Sequence, residues 1–157
     1  MHSDRLIVAV FDLKLIRIEC IVFNRQSRFL FIVNPRAGTS RQDTEALVTS
    51  CIDDLVSWDL AFTENAGHAT QLAENGIRAG YDAIVAVGGD GTLNEVGRAL
   101  VGQSVPMGVI PAGSGNAFAR ALGISLSRRE AFGQLLGGQI RSLDVGRVGD
   151  ETFLSTA

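Results

Sequence analysis

A single lysine, Lys14, stands among fourteen basic residues, and the other thirteen are arginines. A P-loop needs a glycine-rich turn ending in Lys, so that class of nucleotide site is excluded. Cysteine is scarce too. Cys20 and Cys51 have neither disulfide-framework nor metal-ligand spacing and read as reduced, buried thiols of a cytoplasmic protein. No run approaches the roughly 18 apolar residues of a membrane span. The apolar stretch from Leu6 to Phe11 is too short for a signal peptide and lacks a small-residue cleavage site. No Ser-His-Asp or Cys-His arrangement is apparent, which argues against acyl transfer. A net charge of −3 argues against nucleic acid as the main partner.

Glycine, by contrast, is abundant, with 18 in 157 residues and the excess in loops between Gly67 and Gly149. The length suits one domain with a substantial core. The chain is organised around Val85-Ala86-Val87-Gly88-Gly89-Asp90-Gly91-Thr92-Leu93-Asn94-Glu95-Val96. This stretch opens as an apolar strand, turns through three glycines and one acid, and continues as a helix with Leu93, Val96, Leu100 and Val101 on one face. Such a strand-to-helix turn aims unpaired N–H groups and the positive helix end at one point, an anion site. Asp90 inside it would repel a bare phosphate but suits a site that holds Mg²⁺ or takes up a proton. Asp-Gly is also a hairpin signal, but a helical pattern follows it here.

Around this stretch the chain alternates. Phe29–Val33 reads as a buried parallel strand, followed by the turn Asn34-Pro35-Arg36-Ala37-Gly38 and a helix over 41–57. Trp58–Thr63 is a strand, Gly67–Ala79 a helix, and Ala83–Val87 the strand before the central turn, whose helix ends near Val101. Met107–Ile110 leads into Pro111-Ala112-Gly113-Ser114-Gly115-Asn116, which opens a helix stopped near Gly123. A helix at Arg128–Leu136 and strands at Ser142–Val148 and Glu151–Ala157 complete the chain. In residues 1–27, alternation at Phe11–Leu15 and Arg17–Cys20 fits one or two strands, and an appended strand or a disordered leader both remain open. The expected class is α/β: a doubly wound, mostly parallel sheet with helices on both faces. Ligands of such sheets bind outside the strands' carboxyl ends. The polar loops at 34–38, 63–67, 88–92 and 111–116 all leave such ends.

The candidate site residues each have a plainer reading. Ser114 and Asn116 could cap a helix, Asn34 could form a turn and Arg36 could be a surface charge. Thr63 could end a strand, His68 start a helix, and Glu95 complement its own helix dipole. Asp144 could be a solvated strand residue or could face Asp90 and share a metal, as paired carboxylates do. Together, the acid, the glycine-rich anion turns and the missing P-loop lysine fit phosphoryl transfer from a nucleotide, which depends on positioning and charge neutralisation.

Gly88–Glu95 with Pro111–Ala117, Asn34–Gly38 and Thr63–Ala69 resembles the diacylglycerol kinase catalytic domain of bacterial lipid kinases and sphingosine kinases, from about Phe29 to Ala157. The resemblance implies an ATP- and Mg²⁺-dependent kinase acting on a lipid hydroxyl, diacylglycerol or sphingoid in type, on the fold shared with NAD kinases. It places Asn34, Pro35, Arg36, Thr63, Gly67, Gly89, Asp90, Gly91, Thr92, Leu93, Asn94, Glu95, Gly113, Ser114 and Gly115 at the ATP site. It makes Asp90 the acid most closely tied to catalysis; from the residues themselves, Asp90 and Asp144 are the expected metal candidates. Ala117 stands where many bacterial members carry Asp, a pattern closer to sphingosine and ceramide kinases. The expected partners are ATP, a lipid at a membrane surface and a second copy of the chain, with the protein cytoplasmic or peripheral at the inner membrane face. The family has a second, mostly β domain. The expectation is therefore an N-terminal extension over 1–27 and an ATP-binding domain over 28–157 cut before that second domain, binding ATP without turning over lipid. An NAD kinase-like enzyme and a non-catalytic nucleotide-binding module are the alternatives.

Overall fold

The computed structural model describes residues 5–10, 23–38, 40–52, 56–148 and 151–154. Six strands form one sheet in the order β3-β2-β4-β5-β1-β6. They are β1 (Arg5–Val10), β2 (Arg28–Val33), β3 (Ser57–Phe62), β4 (Ala83–Gly88), β5 (Met107–Pro111) and β6 (Gln139–Asp144). The first five run parallel, and β6 is antiparallel to β1. Among the described residues, five helices connect them: α1 (Arg41–Ile52), α2 (His68–Arg78), α3 (Asp90–Leu100), α4 (Ala117–Ala121) and α5 (Arg128–Gly137). A separate antiparallel pair, β7 (Gly146–Val148) and β8 (Glu151–Phe153), follows.

Continuous apolar runs in β2, β4 and β5 are buried residue after residue, because helices cover both faces. On one face α2 and α3 pack on β2, β4 and β5, and on the other α5 packs on β5 and against α1. Phe132 of α5 lies 5.7 Å from Phe31 of β2, both fully buried. Edge strand β3 is only partly buried. The α/β class read from the sequence is therefore the observed one.

Several element bounds differ from expectation, among them the helix expected over 41–57, since α1 ends at Ile52 and Ser57 begins β3. Within residues 1–27, where an appended strand and a disordered leader were both open, Arg5–Val10 is a strand inside the sheet, parallel to β5 and paired with β6 along its whole length. Its residues Leu6 and Val8 are completely buried. The strand expected over Ser142–Val148 breaks at Val145, ending β6 and beginning β7. The alternating stretches Phe11–Leu15 and Arg17–Cys20 lie outside the described residues.

Chain direction locates the ligand edge. From β2 the chain steps one way to β3, then returns past β2 to β4. The reversal puts a topological switch point between β2 and β4, where the connections diverge to opposite faces. At the opposite, amino edge sits a polar cluster. Tyr81 donates a 2.6 Å hydrogen bond to Asp59, while the Arg28 guanidinium stacks 4.5 Å above the Tyr81 ring. Burial, then the Asp59 hydrogen bond and charge, push the Tyr81 phenol above its usual value, with Arg28 partly opposing them. A raised folded-state pKa contributes stability below the unfolded value of about 10, and that contribution is lost as pH rises through the folded pKa. Because Tyr81 is the only tyrosine, an ultraviolet absorbance titration reports it alone. Its midpoint is expected above that of the denatured chain and should fall toward it in Asp59→Asn.

Candidate functional site: a cleft at the switch point

Three carboxyl-edge segments enclose a cleft of about 220 Å³: Asn34 and Arg36 after β2, Thr63–Ala66 after β3, and Gly91, Thr92 and Glu95 of α3 after β4. Asn34 pins the first segment. Its side-chain oxygen caps the 3-10 turn Pro35–Ala37 by accepting the Arg36 N–H at 2.9 Å. Its amide nitrogen donates to Thr92 Oγ1 at 3.1 Å, and its backbone N–H donates to the Val87 carbonyl at 3.0 Å. The loops after β2 and β4 are thus tied across the switch point. Thr63 continues the ladder by donating its N–H to Val33 at 2.9 Å, and His68 Nδ1 holds the next loop by accepting the Glu64 N–H at 3.1 Å.

The acids of α3 act mainly on neighbouring helices. Asp90, its first residue, accepts from the Phe118 N–H through Oδ1 and from the Ala117 N–H through Oδ2, both at 3.1 Å. It therefore caps α4 rather than its own helix. Glu95 caps α2, accepting from the Ala69 N–H at 3.1 Å, and its carbonyl takes the Thr70 hydroxyl at 2.8 Å. These charge-assisted bonds to orphan amides fix α2 and α4 relative to α3. The plainer reading of Glu95, as an acid complementing its own helix dipole, did not include this bond to the neighbouring helix.

The second glycine turn has a packing role. A Cβ on Gly113 would lie 2.5 Å from the Gly89 Cα, so the two turns touch backbone to backbone. Asn116 locks the turn in both directions, accepting from the Gly113 N–H at 3.0 Å and donating to its carbonyl at 2.7 Å. It does so in the left-handed region, φ 52°, which Asn tolerates better than most residues. The closely approached partner of these glycines is the protein itself. Of the expected ATP-site positions, Gly89, Gly113, Ser114 and Gly115 are not among the residues that line this cleft; Gly89 and Gly113 pack against each other, and Ser114 and Gly115 are exposed.

Other expected positions also shift. Leu93 is 1% exposed and belongs to the core. The Asn94 side chain bonds to the Asp90 carbonyl and the Leu154 N–H and does not line the cleft. Pro35 begins the 3-10 turn beside the two lining residues, and Gly67, at φ 82°, is the left-handed N-cap of α2 next to lining residue Ala66. The proposed pairing of Asp90 with Asp144 does not form. Asp144 is level with Arg5 at the amino end of β1, and its exposed carboxylate meets the Arg5 guanidinium at 3.3 Å. Strand register puts it about 23 Å below the carboxyl edge, taking seven residues of rise. The antiparallel direction of β6 causes this displacement. Among the described residues, no three His, Cys, Asp or Glu side chains gather as a metal set, and no helix is long and apolar enough to cross a membrane.

Chemically, the cleft offers the free first-turn N–H groups of α3, one guanidinium, hydroxyls at Thr63 and Thr92, and two carboxylates at Glu64 and Glu95. Amides at a helix start with a nearby cation suit a phosphate-bearing ligand.

Comparison with known proteins agrees. The diacylglycerol kinase catalytic domain matches residues 28–148. A Pseudomonas putida protein named "Probable lipid kinase YegS-like" is 39% identical over 134 residues, covering 84% of this chain and 45% of the relative. The diacylglycerol kinase of Bacillus subtilis is 41% identical over 98 residues, covering 60% and 31%. A crystal structure of a diacylglycerol kinase from Bacillus anthracis superposes with a TM-score of 0.55 at 30% identity, over 68% of this chain and 40% of that one. The chain thus spans between about a third and a half of the length of these relatives. It belongs to the diacylglycerol kinase catalytic domain family.

Proposed function

We propose that this chain supplies the ATP-binding part of a lipid kinase, which moves the γ-phosphate of ATP to a lipid hydroxyl presented at a membrane surface. The observation that carries this reading is the cleft at the switch point, with a helix start and Arg36 facing one space. The family match supports kinase chemistry on a lipid rather than on a soluble dinucleotide. The two carboxylates that line the cleft favour a nucleotide whose phosphate charge is already partly neutralised by a bound cation, so Mg²⁺ belongs here with the nucleotide. The described side chains do not form a metal-holding set of their own.

In this reading the α3 amides and Arg36 hold phosphate oxygens, while Asn34 and Thr92 keep the two flanking loops at fixed separation. Asp90 orients the Gly113–Asn116 turn through α4. Its oxygens keep further acceptor capacity, enough to receive a proton from an attacking hydroxyl. The relatives are over twice the matched length, and in this reading their remaining length contributes to lipid transfer. This chain is therefore expected to bind ATP without phosphorylating lipid. Robust lipid phosphorylation by it alone would contradict that part.

The test is calorimetric ATP binding by the chain and by Thr92→Val, which keeps the shape but removes the acceptor for Asn34. This part-buried bond is worth about 1 kcal/mol, and because it preorganises the two loops for the ligand, affinity should fall about fivefold. Equal affinity in both proteins would remove the Asn34–Thr92 tie from the site.

A further inference from the structure

Asn94 sits one turn into α3, and both ends of its amide are in use. Its Nδ2 donates to the Asp90 carbonyl at 3.0 Å, and its Oδ1 accepts the Leu154 N–H at 2.7 Å. A carbonyl cannot donate and an N–H cannot accept, so only one orientation of the amide satisfies both. The Asp90 end belongs to the turn of α3 that faces the cleft. The Leu154 end belongs to the chain returning from β8, 60 residues further on.

A second observation shows that this return is built into the helix. Gly97, one turn beyond Asn94, is buried, and a Cβ there would lie 2.6 Å from Leu154 Cδ1. Glycine inside a helix costs about 1 kcal/mol relative to alanine, and here it opens the space that the Leu154 side chain occupies. Backbone and side chain of one residue are therefore both received by α3.

We propose that Asn94 is a positioning residue that couples the nucleotide cleft to the docking of Leu154, so that a filled cleft and a docked segment favour each other. The inference rests on the nucleotide reading above. A ligand held by the first-turn amides of α3 restrains the Asp90 peptide. That restraint fixes the Asn94 amide in the orientation Leu154 requires. By linkage, releasing Leu154 weakens the nucleotide by the same factor by which the nucleotide strengthens the docking.

The experiment is a double-mutant cycle on ATP affinity with Asn94→Ala, which removes the bridge, and Leu154→Pro, which removes both the N–H and the side chain seated at Gly97 and so undocks the segment. Amide NMR on the same samples reports whether the cleft is filled. Each single variant should weaken ATP about fivefold or more, and the double variant should be no weaker than Leu154→Pro alone, because undocking the segment already removes what the Asn94 bridge transmits. ATP should also slow hydrogen exchange of the Leu154 amide in the unaltered chain. The proposal is overturned if Leu154→Pro leaves affinity unchanged, or if the two losses multiply, while Gly91 and Thr92 signals still shift with ATP. If ATP shifts neither signal in the unaltered chain, the nucleotide reading itself fails and the coupling falls with it.

Discussion

Asp90→Ala should lower stability by about 2–3 kcal/mol, because two amides at the start of α4 lose a charged acceptor together. For a chain of this length that is a fall in Tm of about 5–10 °C. ATP binding should weaken as well, since the same bonds hold the Gly113–Asn116 turn against Gly89 at the start of α3. Asp90→Asn separates the two effects. It keeps one acceptor oxygen, so stability should fall by only about 1–2 kcal/mol. In a longer form of the protein that phosphorylates lipid, however, transfer should be lost almost entirely, because a neutral amide cannot take a proton. Thermal unfolding and a lipid phosphorylation assay on the two variants check this. Wild-type transfer by Asp90→Asn would restrict Asp90 to holding α4.

Two glycines in the same region are expected to respond in opposite ways. Gly113→Ala places a methyl 2.5 Å from the Gly89 Cα and 3.1 Å from Asn116 Oδ1. Backbone cannot rotate away as a flexible side chain does, so the turns must separate, at a cost of about 2–3 kcal/mol. Gly91→Ala meets nothing within 4 Å, because Gly91 is exposed at the cleft wall. Its stability should hold or rise slightly with the better helix former, while the added methyl takes space from the ligand and reduces ATP affinity about tenfold or more, on the scale of one lost contact. Unfolding curves and calorimetric titrations of both variants separate the roles. A destabilised Gly91→Ala, or an unaffected Gly113→Ala, would reverse the assignment of which glycine packs and which receives ligand.

The sequence made the order of strands and helices legible, because apolar runs and turn glycines are local signals. It also indicated that the loops after β2, β3 and β4 share an edge, since parallel strands put successive carboxyl ends together. Asn34, Arg36, Thr63, Gly91, Thr92 and Glu95 indeed meet at one cleft. Partner choice was not legible. Nothing local tells that Asp90 bonds to amides 27 and 28 residues away, or that Glu95 caps a helix 26 residues before it. Leu93 carried both an inward periodicity and a place in the glycine-rich motif, and burial shows that the periodicity prevails. Asp144 was misplaced because a strand's direction cannot be read from its residues. The antiparallel pairing of β6 with β1 sends its end to the far edge. The interior place of β1 was equally hidden, because its short apolar run carries no sign of which neighbours it will find.

The switch-point cleft is expected to receive ATP. An ATP titration of isotopically labelled chain, followed at each backbone amide, tests it most directly. Perturbations should concentrate at Asn34–Arg36, Thr63–Ala66 and Gly91–Glu95, saturate together, and leave β6 and the Arg28–Tyr81 cluster at the amino edge unmoved. Shifts confined to that amino edge, or none at millimolar ATP, would contradict it.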